Sequence, residues 1–146
     1  MSALEIAARR SIAVRVLRHQ AGLNADAAAL AAAARRAYDE LTDVLAPLIG
    51  QVGIDALAAR AVHLAQREYP CLAKTREPEH AEGPFAPVSV SLEHEDPALA
   101  TEAAAAVLAT FMGLLVTLIG ESLTARLIRQ AWPDGFSDAG TEGTRV

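Results

Sequence analysis

Residues 103–120, AAAAVLATFMGLLVTLIG, run without a charge between Glu102 and Glu121. At 1.5 Å per residue, a helix of this length crosses a small domain or the hydrocarbon of a bilayer. Such a rod has to be buried, and three surroundings are open to it: helices of its own fold, a second copy of the chain, or lipid. Alanine and threonine throughout, with Gly113, make its surface thin and suited to close contact with neighbouring helices. Both flanks are acidic, Arg126 and Arg129 are the only nearby bases, and no aromatic anchor sits at its near end. These features argue against a membrane span at 103–120. The preferred reading is the central helix of a bundle, because a helix apolar all round needs neighbours on every side.

Composition agrees with that reading. The chain has 146 residues, enough for one domain with a sizeable core. Alanine fills 33 positions while aromatics make up 4%, so the core is expected to consist of thin helices packed closely. The net charge of -5 argues against general affinity for phosphate backbones. Cys71 is the one cysteine, which excludes an internal disulfide and a cysteine-rich zinc site and fits a reducing compartment. Arginines interrupt the apolar residues of the first twenty positions, unlike a secretory signal. A cytoplasmic location is expected.

Around the uncharged rod, the pattern predicts further helices. Residues 4–20 place Ile12, Ala13, Val16 and Leu17 on one side and Ser11, Arg15, Arg18 and His19 on the other. Gly22 to Ala25 breaks that helix, and Asn24 or Asp26 supplies a cap for the next. In the second helix Leu30, Ala34, Ala37, Leu41, Val44 and Leu48 form a seam like that of a coiled coil or antiparallel bundle. Arg35, Arg36, Asp39, Glu40 and Asp43 cover the other side, with Arg35–Asp39 and Arg36–Glu40 at ion-pair spacing. Pro47 is expected to kink or end this helix, with Gly50 and Gly53 completing a turn. A third helix over 54–69 groups Ile54, Leu57, Ala61, Leu64 and Ala65 opposite Arg60, His63 and Arg67. The stretch 70–97 holds five of the seven prolines and reads as a long acidic connection, with Val88, Val90 and Leu92 as one short strand inside it. Asp96 before Pro97 marks a helix start. Past Gly120, whose effect on the rod is open, Leu123, Leu127, Ile128 and Trp132 continue an apolar pattern to Pro133. Residues 134–146 are expected to be a disordered tail, leaving one helical domain over 1–133.

There is also a hint of internal duplication. Leu45–Gly50 followed by Leu57, Ala59 and Arg60 resembles Leu115–Gly120 followed by Leu123, Ala125 and Arg126, with four residues fewer in the second copy. Both read as helix, tight turn, helix, although leucine-rich hairpins can match by chance.

No phosphate loop, nucleophilic serine elbow, paired zinc histidines or calcium loop is present, so neither an enzyme nor a cofactor is expected. His80, His94, Glu79, Glu82, Glu93, Glu95 and Asp96 are metal-ligand types without metal-ligand spacing, and an acidic solvated loop is the simpler account. His63 reads as a surface histidine, and Cys71 as a structural thiol.

The expected fold is therefore an all-α bundle of four or five helices around a central hydrophobic one, with dimerisation able to complete it. The expected function is recognition, as a non-enzymatic regulatory or adaptor module meeting a protein partner and forming a homodimer. The candidate interaction residues are Leu30, Ala34 and Leu41 of the seam and the basic set Arg9, Arg10, Arg15 and Arg18. Alternatives are a single-span membrane protein and nucleic-acid contact through those arginines, which would be weak and salt-dependent.

Overall fold

A computed structural model of the chain describes residues 6–22, 26–73, 92–93 and 95–133. They form five helices and no strand: α1 (Ile6–Ala21), α2 (Ala27–Ile49), α3 (Gln51–Glu68), α4 (Pro97–Ile119) and α5 (Glu121–Ala131), with a short 3-10 turn at Pro70–Ala73. The apolar rod lies in α4, which packs against all four other helices. Every residue from Ala103 to Ala109 is buried. Because such a run exceeds one helical turn, protein surrounds that part of the rod on all sides. Its C-terminal part is less covered: Gly113, Leu114 and Val116 are half-buried, and Thr117 and Leu118 are exposed.

The helix boundaries follow from local chemistry. Asp26 caps α2, its Oδ1 accepting from the Ala29 amide at 2.9 Å, and Asp96 caps α4, its Oδ2 accepting from the Ala98 amide at 3.1 Å. Pro97 follows at the first helical position, where its missing N–H would be unbonded in any case. Gly50 and Gly120 are each the sole residue between two helices. Their backbones match, with φ 89°, ψ 155° at Gly50 and φ 91°, ψ 159° at Gly120, a region open essentially to glycine alone. Each donates its amide to the helix before, to Ala46 and to Val116, and lends its carbonyl to the helix after, to the Ile54 and Thr124 amides. Gly120 therefore does break the rod.

Several sequence expectations change in detail. Pro47 neither ends nor replaces the turn of α2, which continues to Ile49. The ring removes one donor two residues before the end, next to the exposed Asp43, and the Gly50 amide still reaches Ala46 at 2.9 Å. Gly53 lies inside α3 rather than in the turn, and a Cβ there would sit 2.5 Å from Ile49 Cγ2. Leu92 is buried in a helical turn instead of a strand, and Val88 and Val90 lie outside the described residues. So do most of the 70–97 connection and the whole 134–146 tail. In α3 the buried line is Ile54, Ala58, Ala61 and Ala65, with Leu57 and Leu64 at its margin. The small residues sit deepest because α3 lies mainly on α4, and short side chains allow that approach.

The likeness hinted at in the sequence extends to the geometry of the two corners. α2 and α4 are both 23 residues long, both start from a capping aspartate, and both end in Leu-Ile-Gly. With Gly50 set on Gly120, the two halves align without a gap, seventy positions apart. Leu45 then matches Leu115, and Ile54 and Ala58 match Thr124 and Ile128; all six are buried. The ungapped register differs from the one with four residues fewer, and it follows the two alike corners, each a single glycine between helices.

Candidate functional site

The seam residues proposed for partner contact are spent inside the chain. Leu30, Ala34 and Leu41 are buried, as are Ala37 and Leu45, against a core that includes Ile12, Val16 and Phe111. Within the single chain they are therefore covered rather than presented at the surface. The reason is that α1, α4 and α5 all pack on α2 and close its apolar side within one molecule.

The four arginines separate. Arg9 and Arg10 turn onto the chain itself, lining a groove of about 300 Å³ with Ala109, Thr110, Gly113 and Leu114. The Arg9 guanidinium lies against Gly113, where a Cβ would come within 3.2 Å of it, and Arg10 Nη2 pairs with Glu68 Oε1 at 2.8 Å. Arg15 Nη2 donates to Ser11 Oγ at 3.4 Å, and Arg18 is exposed. Glycine at position 113 thus makes room for a guanidinium on the uncharged stretch of α4 that follows Glu102.

A second concave region was not legible in the sequence. The ends of α1 and α5 and the middle of α2 border an open cleft of about 400 Å³, lined by Val16, His19, Gln20, Arg36, Glu40, Ala131, Trp132 and Pro133. The expected Arg36–Glu40 pair is replaced by a bridge through α1. Gln20 Nε2 donates to Glu40 Oε1 at 2.7 Å, while Arg36 Nε donates to Gln20 Oε1 at 3.2 Å and Arg36 Nη2 to the Gln20 carbonyl at 2.9 Å. The neighbouring pair does form, Arg35 Nε lying 3.6 Å from Asp39 Oδ1. Trp132 closes the floor, its indole N–H donating to the Ala37 carbonyl at 2.9 Å. That carbonyl belongs to a helix interior and would ordinarily be used only within the helix, so the bond ties the end of α5 to the centre of α2. The single tryptophan was the one sequence signal pointing here; Gln20 gave none, since its partners lie on another helix.

Tyr38 is the polar handle of the core. Its ring stands 6.0 Å from that of Phe111, tilted by 59°. Burial pushes its hydroxyl above the ordinary tyrosine value, with Asp55 and Asp39 adding to the rise and Thr42 and Arg35 opposing it.

Among the described residues three large apolar side chains remain in water: Leu48 is 51% exposed, Val52 85% and Leu118 57%. Leu48 and Leu118 occupy the same place in the two repeats, the last turn before the corner glycine. Val52 begins α3 beyond the first corner. Among the described residues, no three or more His, Cys, Asp or Glu gather as a metal site. His63 is exposed, and His80 and the acidic residues around it lie outside the described residues. Compared with known proteins, the chain matches no family model, no curated protein and no solved structure.

Proposed function

We propose that this chain is a non-enzymatic helical regulatory or adaptor module that works through protein–protein contact in the cytoplasm, as a homodimer. The observation that carries this reading is the apolar set at the two corners, Leu48, Val52 and Leu118, the large apolar side chains exposed among the described residues. In this reading a second copy covers these three side chains and joins them into one apolar contact. Burial of Ala103–Ala109 by helices bearing Arg15, Arg18, Arg60, His63 and Arg67 on their outer sides supports protein rather than lipid as the surroundings of the rod. The engagement of Arg9 and Arg10 within the fold weighs against the nucleic-acid alternative, since those charges already face Gly113 and Glu68.

The test is the native mass of the full chain in solution without detergent. A dimer that becomes a monomer on replacing Leu48, Val52 and Leu118 together by serine is the expected result. A monomer at all concentrations would overturn the homodimer. A chain that stays in the membrane fraction would overturn the module altogether.

A further inference from the structure

We propose that the cavity bounded by α1, α2 and α5 binds a small zwitterion, a free amino acid with an apolar side chain. At about 400 Å³ this open cleft falls within the size range of small-molecule sites, and it sets His19, Gln20, Arg36 and Glu40 beside Val16, Ala131, Trp132 and Pro133. Its rim presents both signs of charge from one helix, Arg36 and Glu40, one turn apart on α2. Left alone, two such groups neutralise each other directly. Here the Gln20 amide stands between them and holds each in place.

Arg36 uses Nε and Nη2 on Gln20, so Nη1 remains to donate to a carboxylate. Glu40 accepts from Gln20 through Oε1, so Oε2 remains to accept from an ammonium. A simple anion would meet the carboxylate of Glu40, and a simple cation the guanidinium of Arg36. A molecule carrying both charges satisfies both groups at once. Val16, Ala131, Trp132 and Pro133 supply the apolar surface on which its side chain would rest. Regulation by such a ligand goes beyond the protein-contact function, and its test is independent of the dimer.

Trp132 is the only tryptophan, so its fluorescence reports this cavity directly. The full chain is titrated with leucine and phenylalanine, then with N-acetyl-leucine and leucinamide, which lack the ammonium and the carboxylate respectively. The expected result is a saturable change with the free amino acids, with each blocked analogue weaker by about tenfold or more. Arg36→Gln should remove the preference for leucine over leucinamide, and Glu40→Gln the preference over N-acetyl-leucine. Circular dichroism confirms that each variant is folded; if one is not, the analogue series on the unaltered chain still decides. No saturable change in fluorescence or heat up to about 10 mM would overturn the proposal. So would blocked analogues that bind as well as leucine, or folded variants with unchanged preferences.

Discussion

α2 and α4 are equally long, start from an aspartate cap and end at matching glycine corners, yet one carries a full set of charges and the other carries none in the same stretch. Arg35, Arg36, Asp39, Glu40 and Asp43 of α2 stand where α4 has Ala105, Ala106, Ala109, Thr110 and Gly113. The difference lies in what covers them. α1 runs across α4, with Arg9 on Gly113 and Arg10 beside Ala109 and Thr110, whereas Arg36, Asp39, Glu40 and Asp43 face water. A charge under α1 would lose its hydration without gaining a partner, at a cost of several kcal/mol. The uncharged stretch of α4 is thus the one on which α1 lies.

That contrast is open to direct attack. Ala105→Arg writes into α4 the residue that α2 carries at the equivalent position. Because Ala105 is buried, the change should destabilise the chain by about 4 kcal/mol or more and leave little folded protein in a urea titration. The reciprocal Arg35→Ala should move the midpoint by no more than about 0.5 kcal/mol, since its ion pair with Asp39 is exposed. Comparable losses from the two changes would mean that burial does not separate the helices.

Next in size, Leu45→Ala and Leu115→Ala remove equivalent, fully buried side chains, and each should cost about 2–5 kcal/mol by the same titration. Equal losses would support the ungapped register, and a negligible loss at one site would break it. Gly50→Ala and Gly120→Ala should each cost about 1–3 kcal/mol. An added Cβ meets nothing within 4 Å at either corner, so the cost is conformational and should be the same for both.

The smallest effect concerns Tyr38, whose counterpart Leu108 cannot ionise. Its folded pKa is raised by burial, so on going alkaline the unfolded chain gives up this proton first, near the ordinary value of 10.0. The contribution is fully present below about pH 10 and is lost as pH rises toward the folded pKa. Tyr38→Phe should therefore flatten the fall in stability between about pH 9 and about pH 11, measured as the urea midpoint. An unchanged slope would show that the ring ionises as easily folded as unfolded.

Much of the fold was readable residue by residue. The buried side of α1, Ile12, Ala13, Val16 and Leu17, followed from spacing, as did the cap at Asp96–Pro97. Spacing failed where a residue's fate depends on what reaches it. Leu48 lies on the same side of α2 as Leu30, but it ends up exposed because the neighbouring helices do not cover the last turn. Arg36 and Glu40 have the right separation to pair, yet Gln20 of α1 intervenes. The seam was the clearest pattern, and its Leu30, Ala34 and Leu41 are buried because three helices pack on that side of α2.

By itself the sequence determined that the chain is helical, where its long helices begin, and that residues 103–120 have to be hidden. Those outcomes rest on backbone chemistry and on the hydration of side chains, which act over a turn or two of chain. Only the tertiary structure decided which helix hides the rod, that the two glycine corners are equivalent, and that α1, α2 and α5 leave a cavity floored by Trp132. Those depend on contacts between residues far apart in the chain, such as the indole of Trp132 on the carbonyl of Ala37, and no local pattern specifies them.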